Sequence, residues 1–262
     1  MSKTSTTISA VLITRNERHN IADCLAGLAW CDEVVIVDSG STDGTVEFAL
    51  EWGAKVTSKA DWPGFGPQKN RALDLAQCEW VLSVDADERV TPELAAEIQA
   101  AVQRADAPDA FSLPRLSSYC GQFMRHGGWY PDRVVRLFRR GKARFSDDIV
   151  HESVQTQEPA GQLHNDLLHI SYRSLDDVLE KTNRYSSAGA EKLAARGRHA
   201  NLATALGRSV WAFFRTYVLR RGFLDGQLGF VLACGIAHET WYRYLKLWLG
   251  QRRTSSSADR KN

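Results

Sequence analysis

Several features that would fix an early reading are missing from this sequence. Its five cysteines, Cys24, Cys31, Cys78, Cys120 and Cys234, are odd in number and scattered, with no CxxC spacing. That pattern gives neither a disulfide framework nor a thiolate metal site, and a reducing compartment is expected. The longest charge-free run, Gly226–His238, has 13 residues and includes Gln227 and His238, well short of the roughly 20 apolar residues that span a bilayer. The apolar stretch ahead of Arg15 is too short for a signal h-region and has no small-residue cleavage site, so it reads as the first strand of a cytoplasmic protein. There is no GxGxxG and no GxxxxGK[ST], which disfavours dinucleotide and P-loop phosphate cradles. His164 and His169 lack the HExxH spacing of a zinc hydrolase and are expected to be structural. No internal repeat is visible.

What is present is the composition of an ordinary globular protein: 262 residues, 44% hydrophobic, 24% charged and 10% aromatic. That length suits one large α/β domain, or one domain with a helical appendage. The net charge of +2 conceals an asymmetry. Residues 1–200 hold 23 Lys and Arg against 28 Asp and Glu, whereas residues 201–253 hold 8 against 2. The basic part is also the most aromatic part. Apolar bulk is of no use against nucleic-acid phosphates, so the combination favours an anionic membrane surface as partner over nucleic acid. A plain helical domain with solvated arginines accounts for it equally well.

From Ile8 to Pro114, short β-branched runs alternate with amphipathic stretches, the pattern of βαβ units on a parallel sheet. Strands are expected at Ile8–Ile13, Glu33–Val37, Ala54–Thr57 and Trp80–Val84. Thr91 followed by Pro92 marks a helix start. A further apolar run, Ala110–Pro114, leads through a Gly- and aromatic-rich loop to the alternating stretch Arg133–Arg139. Beyond about Leu175 only helical patterns remain, broken at Gly222 and Gly226. The expected organisation is a catalytic α/β domain over 1–174, a helical region over 175–251 suited to membrane association, and a disordered tail over 252–262.

Ligands of open parallel sheets bind outside the carboxyl ends of the strands, and each expected strand there ends in polar candidates. After the first comes Thr14-Arg15-Asn16-Glu17; after the second, Asp38-Ser-Gly-Ser-Thr-Asp43-Gly-Thr; after the fourth, Asp85-Ala-Asp87-Glu-Arg. Carboxylates at alternate positions of an extended segment can place one on a ribose hydroxyl and the other on a hard cation, Mg²⁺ or Mn²⁺, that bridges substrate phosphates. Asp38 and Asp43 can accept from a base N–H or a ribose hydroxyl, although Asp43-Gly-Thr also fits a plain turn and helix cap.

Four motifs in order, Thr14-Arg-Asn-Glu, Val37-Asp-Ser-Gly-Ser-Thr-Asp-Gly-Thr, Gln68-Lys-Asn-Arg-Ala and Val84-Asp-Ala-Asp-Glu, resemble the N-terminal half of family 2 glycosyltransferases of GT-A fold. More narrowly, Phe65-Gly-Pro-Gln-Lys-Asn, Arg136-Leu-Phe-Arg-Arg with Val150-His-Glu, and Asp225-Gly resemble lipopolysaccharide core glucosyltransferases that act on inner-core heptose. The resemblance implies a mostly parallel sheet flanked by helices and an inverting transfer of a hexose, with UDP-glucose the expected donor, onto a lipid-linked saccharide acceptor. The enzyme would sit peripherally on the inner face of the cytoplasmic membrane. Thr14, Arg15 and Glu17 would line the nucleobase pocket, Asp38 would read uracil or ribose, and Lys69 or Arg71 would reach the diphosphate. Asp85 would bind ribose and Asp87 the metal.

The base is expected among Glu152, Asp148 and Asp147, with Glu152 favoured because it follows His151 after an expected strand. The Glu-Asp pair common in the family is missing there, and His151 itself is either a metal or phosphate ligand or a packed side chain. Trp129 is read as a sugar-stacking platform or a loop anchor. Arg133, Arg136, Arg139 and Arg140 are read as contacts to acceptor phosphates or as a charged strand face. A nucleotidyltransferase is the competing enzyme, but it would carry a glycine-rich phosphate loop where Thr14-Arg-Asn-Glu has no glycine. A nucleotide-sugar-binding scaffold without turnover is the non-enzymatic alternative.

Overall fold

The computed structural model describes residues 6–146 and 153–259, with side chains as far as Arg252. Along the chain come β1 (Ile8–Thr14), α1 (Arg18–Ala26), β2 (Glu33–Asp38), α2 (Thr45–Trp52), β3 (Lys55–Ser58), α3 (Phe65–Leu75), β4 (Trp80–Ser83), β5 (Glu88–Val90) and α4 (Pro92–Val102). Then follow β6 (Ala110–Tyr119), β7 (Gln122–Phe123), β8 (Asp132–Arg139), β9 (Ala143–Phe145), β10 (Val154–Thr156), β11 (Gly161–Gln162) and β12 (Leu167–Tyr172). Three helices complete the chain: α5 (Leu175–Ala195), α6 (Leu202–Phe214) and α7 (Gly226–Asp259). The four expected strands are β1 to β4, within about a residue at each end. Thr91 caps α4 as its position suggests, its Oγ1 accepting from the Leu94 N–H at 3.2 Å, with Pro92 opening the helix.

Contacts divide the protein into two compact units, one of residues 1–116 and 132–169, the other of residues 117–131 and 170–262. In the first unit the strand order is β3-β2-β1-β4-β8-β6-β12-β5. β1 lies between β2 and β4, parallel to both, and β3 runs parallel outside β2. The half beyond β4 is antiparallel where β8 meets β4 and β6, and where β12 meets β5. Alternate side chains of the parallel strands enter two cores, as period-two geometry requires. Leu12, Ile36 and Leu82 pack with Ile21, Leu25, Leu94 and Ile98 of α1 and α4, while Val11, Val35 and Val81 pack with Ala72 and Leu73 of α3 and with Phe138 of β8. The shared direction of β1, β2 and β4 brings Thr14, Asp38 and Asp85 to one edge.

Glu33, at the opposite end of β2, is buried and fully engaged. It accepts from Ser9 Oγ at 2.6 Å, Lys55 Nζ at 2.8 Å and the Gln77 N–H at 3.0 Å. Burial works against its charge, but these donors outweigh it and hold the carboxyl below its ordinary range.

The second unit differs in extent from the expected helical region, because the loop 117–131 belongs to it. Tyr119, Trp129 and Tyr172 form a three-ring cluster with centroids 5.6 to 5.7 Å apart, so Trp129 anchors the loop. Buried Asp225 accepts from the backbone N–H groups of Arg125 and His126 at 3.3 and 2.8 Å and lies 2.8 Å from His126 Nδ1. The expected break between α6 and α7 is there, as a π-helical turn over Arg215–Leu219 and a 3₁₀ turn over Gly222–Asp225. A Cβ on Gly229 would stand 1.9 Å from the Gly222 carbonyl oxygen, so this close approach requires glycine. The α7 backbone stays helical through Asp259, into the segment 252–262 expected to be unstructured, since no Gly or Pro interrupts it after Gly250. No helix among the described residues is long and apolar enough to cross a membrane.

Removing core volume in the first unit should cost more than removing a cap. By urea denaturation, Leu82→Ala is expected to lose about 2–5 kcal/mol and Thr91→Ala about 0.5–2 kcal/mol; the reverse order would contradict the packing described here.

Candidate active site

The first-strand motif folds into a loop because its backbone groups are claimed by the second-strand motif. Asn16 adopts φ 56°, a conformation that asparagine tolerates. Its N–H donates to Ser41 Oγ at 2.8 Å, and its Oδ1 accepts from the Thr42 N–H at 2.9 Å. The N–H of Glu17 donates to Thr45 Oγ1, and that of Arg18 to Asp43 Oδ2, both at 2.9 Å.

Beneath this loop Asp38 is buried and accepts four hydrogen bonds. They come from Thr14 Oγ1 at 2.8 Å, the Gly40 and Ser41 N–H groups at 2.9 and 2.8 Å, and Ser41 Oγ at 2.5 Å. Four donors match the acceptor capacity of a carboxylate, so here Asp38 organises the loop. Above it, Thr14, Arg15 and Glu17 line a cavity of about 380 Å³ together with Ile13, Trp62 and Phe65. The two aromatic rings stand edge to face, 4.9 Å apart, and both are substantially exposed.

The Gln68-Lys69-Asn70 run opens α3 with three buried polar side chains, each tied to a different element. Gln68 Nε2 donates to Ser39 Oγ at 3.0 Å. Lys69 Nζ pairs with Asp85 Oδ1 at 2.8 Å and lies over the Phe145 ring. Asn70 exchanges two hydrogen bonds with the backbone of Phe145, both 2.9 Å. Arg71 turns outward, reaching Asp61 at 2.5 Å and Gln68 Oε1 at 2.9 Å, which fastens the segment carrying Trp62 to α3.

After β4 the chain makes a tight turn through Asp85 and Asp87. The Glu88 N–H donates to the Asp85 carbonyl, and the Asp85 N–H to Glu88 Oε2, each at 2.9 Å. Arg136 of β8, buried, donates to Asp85 Oδ2 and to Glu88 Oε1, the latter at 2.7 Å. Arg115 stands 3.5 Å from Glu88 and 2.6 Å from Asp132. Burial alone would raise the Asp85 pKa, but the charges of Arg136 and Lys69 prevail and hold it far below the usual carboxylate range.

Lys69, Asp85, Arg115, Arg133, Arg136 and Phe145 line a cleft of about 440 Å³, together with Ser153 and Val154. Ser146 and Ser153 are joined by a 2.9 Å backbone hydrogen bond. The segment between them, which carries Asp147, Asp148, His151 and Glu152, lies outside the described residues. Asp87 faces His169, whose Nε2 is 3.3 Å from Asp87 Oδ2. The pairing of β12 with β5 sets His169 opposite Glu88 and so brings the two together. Among the described residues no larger group of His, Cys, Asp or Glu gathers around a cation position.

The structure thus groups Thr14, Arg15 and Glu17 at one pocket and Lys69 and Asp85 at a neighbouring cleft. Asp38 is set under the loop, Arg71 on the Trp62 segment, and Asp87 beside His169. Sequence reasoning took His169 as structural, quoted Phe65 only as part of a motif and passed over Trp62. The signal for the aromatic pair was available, two rings in a Pro-Gly segment after the third strand; for His169 it was not, because only a long-range strand pairing places it.

Taking Arg136 away leaves Asp85 and Glu88 short of a counter-ion, so Arg136→Ala is expected to cost about 3–5 kcal/mol, against less than about 0.5 kcal/mol for exposed Arg133→Ala. Because Asp85 titrates lower folded than unfolded, its contribution to stability is complete above about pH 4 and drains as pH falls further. Acid titration of the wild type should show that loss below about pH 4, and Arg136→Ala should flatten it.

The model of glycosyl transferase family 2 matches residues 9–158. An uncharacterized glycosyltransferase of Rickettsia felis is 32% identical over 252 residues, covering 92% of this chain and 89% of its own. The lipopolysaccharide core biosynthesis glycosyltransferase LpsC of Rhizobium meliloti is 30% identical over 258 residues, covering 90% of this chain and 93% of its own. Among solved structures, residues 1–349 of Staphylococcus aureus TarS are 17% identical, with a TM-score of 0.46 over 95% of this chain and 92% of that one. With the family match spanning more than half its length and the N-terminal motifs gathered along the carboxyl edge of the parallel half of the sheet, this chain belongs to glycosyl transferase family 2 and has a GT-A-type α/β fold.

Proposed function

We propose that this glycosyltransferase moves a hexose, glucose from UDP-glucose, with inversion onto the inner core of a lipid-linked lipopolysaccharide precursor, working peripherally at the inner face of the cytoplasmic membrane. The observation that carries the reading is the adjacency of three features along one sheet edge: an aromatic-lined pocket, an acidic turn and a cation-rich cleft. The choice of acceptor is supported by the name of the Rhizobium meliloti relative.

In this reading the uracil enters the cavity of Thr14, Arg15 and Glu17, with Trp62 and Phe65 offering it apolar surface. Asp38 acts as a positioning residue that fixes the loop. Arg71 supports that pocket from Asp61, and Lys69 and Asp85 form the floor beneath the ribose and diphosphate. Asp87 and His169 suit a divalent cation, Mn²⁺ or Mg²⁺. They offer one hard oxygen and one imidazole nitrogen within 3.3 Å and leave phosphate oxygens to complete the shell. When bound, such an ion neutralises charge on the departing nucleoside diphosphate.

The acceptor hydroxyl oxygen forms its bond to the anomeric carbon as the bond from that carbon to the phosphate oxygen breaks, and its proton passes to a carboxylate. Glu152 takes that proton. It adjoins Ser153, which lines the cleft, and Asp148 lies in the same short segment.

Calorimetry with UDP-glucose, UDP-galactose, UDP-N-acetylglucosamine and GDP-mannose, each with and without Mn²⁺, tests the donor side. Metal-dependent binding of UDP-glucose alone is expected, and binding of none of them would overturn the reading. Asp87→Ala and His169→Ala should each weaken metal-dependent donor binding by at least about tenfold. Glu152→Gln should lower transfer by about 10²–10⁴-fold and leave donor binding intact; if Asp148→Asn does this instead, the base is Asp148.

A further inference from the structure

The second unit carries a helix whose polarity is the reverse of what a soluble surface requires. Along α6 and the turn after it, Ala205, Ala212 and Thr216 are buried. Leu206, Val210, Phe214 and Val218, spaced by four, occupy the opposite side with Trp211 between them, each between 42% and 60% exposed. An amphipathic helix ordinarily turns polar residues outward; here the outward side is apolar. Phe223 and Leu224 of the following turn are also exposed. Next to them is an open groove of about 460 Å³, lined by Tyr217, Phe223, Phe230 and Val231.

The charges around this surface have one sign. From Leu202 to Val231 the cations are Arg208, Arg215, Arg220 and Arg221, all exposed, and the single acidic residue, Asp225, is buried against His126. A contiguous apolar surface of this kind marks an interaction site, and the charges select among occupants. A second copy docking through the same surface by two-fold symmetry would bring equivalent arginines together. An anionic bilayer supplies both an apolar layer for the leucine and aromatic side chains and phosphate groups for the arginines.

We infer that α6 and the turns through Asp225 form an in-plane docking face for an anionic lipid surface, the outward side of the helix entering the headgroup layer. This deepens the peripheral location proposed above and rests on it only for where the enzyme works, because lipid binding is measured without any sugar nucleotide.

The test is co-sedimentation of the full chain with vesicles of mixed phosphatidylglycerol and phosphatidylcholine, and with phosphatidylcholine alone, at low and raised salt. Binding to the anionic vesicles only, weakened by salt, is expected. Leu206→Glu with Val210→Glu should abolish it, and Arg208→Glu with Arg215→Glu should weaken it by at least about tenfold. Both pairs are exposed, so melting temperature and donor binding should match the wild type and show that the variants are folded. Absence of vesicle binding by the wild type, or equal binding by the Leu206 and Val210 variant, would overturn the inference. So would concentration-dependent dimerisation, read by light scattering, that the same double variant abolishes in a chain that does not bind vesicles. Failure of donor binding in calorimetry would count against the transferase reading and leave the lipid result standing.

Discussion

The site depends on one carboxylate held between two cations. Asp85 stands in the turn that follows β4, and its two oxygens are taken by Lys69 from α3 and Arg136 from β8, with Glu88 sharing the arginine. A turn of this kind in isolation would be solvated and mobile. Here a helix, a parallel strand and an antiparallel strand must all be in place for the charges to balance, and the low local dielectric makes any imbalance expensive. The acidic turn is thereby presented in one conformation, with Asp87 projecting from a fixed base. Rigid presentation is what a preorganised charged site requires.

The fold was legible where local rules decide it. The β-branched runs, the polar residues that close them, and the Thr91-Pro92 start are short-range signals, and β1 to β4 and α4 follow them. The gathering of Thr14, Asp38 and Asp85 at one edge was legible for the same reason, since parallel strands must align their carboxyl ends. What the pattern concealed was which partner each polar side chain would find. Lys69 and Arg71 are two residues apart on α3, so they point in different directions. One is buried against Asp85 and the other reaches out to Asp61. Whether a lysine faces a ligand or a half-buried aspartate depends on how α3 packs against the turn after β4, and no periodicity encodes that. His169 joins Asp87 by the register of β12 on β5, a long-range pairing of the same sort.

The second unit shows the complementary case. Its helices and their break were legible from Gly222 and Gly226, whereas the inclusion of residues 117–131 was not. That loop is held by a ring cluster and by a buried aspartate 99 residues along the chain, contacts that composition can suggest only as aromatic and glycine content. The side of α6 that faces outward was likewise hidden: a period of 3.6 identifies a stripe, but it does not say whether the stripe covers the core or is left for something else to cover.

Strand β2 has a carboxylate locked at each end. Glu33 binds Ser9, Lys55 and Gln77 at one end, and Asp38 binds Thr14, Gly40 and Ser41 at the other. Sliding the strand along either neighbour would unmake both sets at once, and a slip of one residue would also send each of its side chains toward the opposite one of the two cores. The strand therefore behaves as a gauge block: its length sets the distance between a structural anchor at one edge of the sheet and the Asn16–Thr45 loop contacts at the other. Insertions or deletions are tolerated in the loops on either side of such an element, but not within it, and sequence divergence in this chain should be read with that asymmetry in mind.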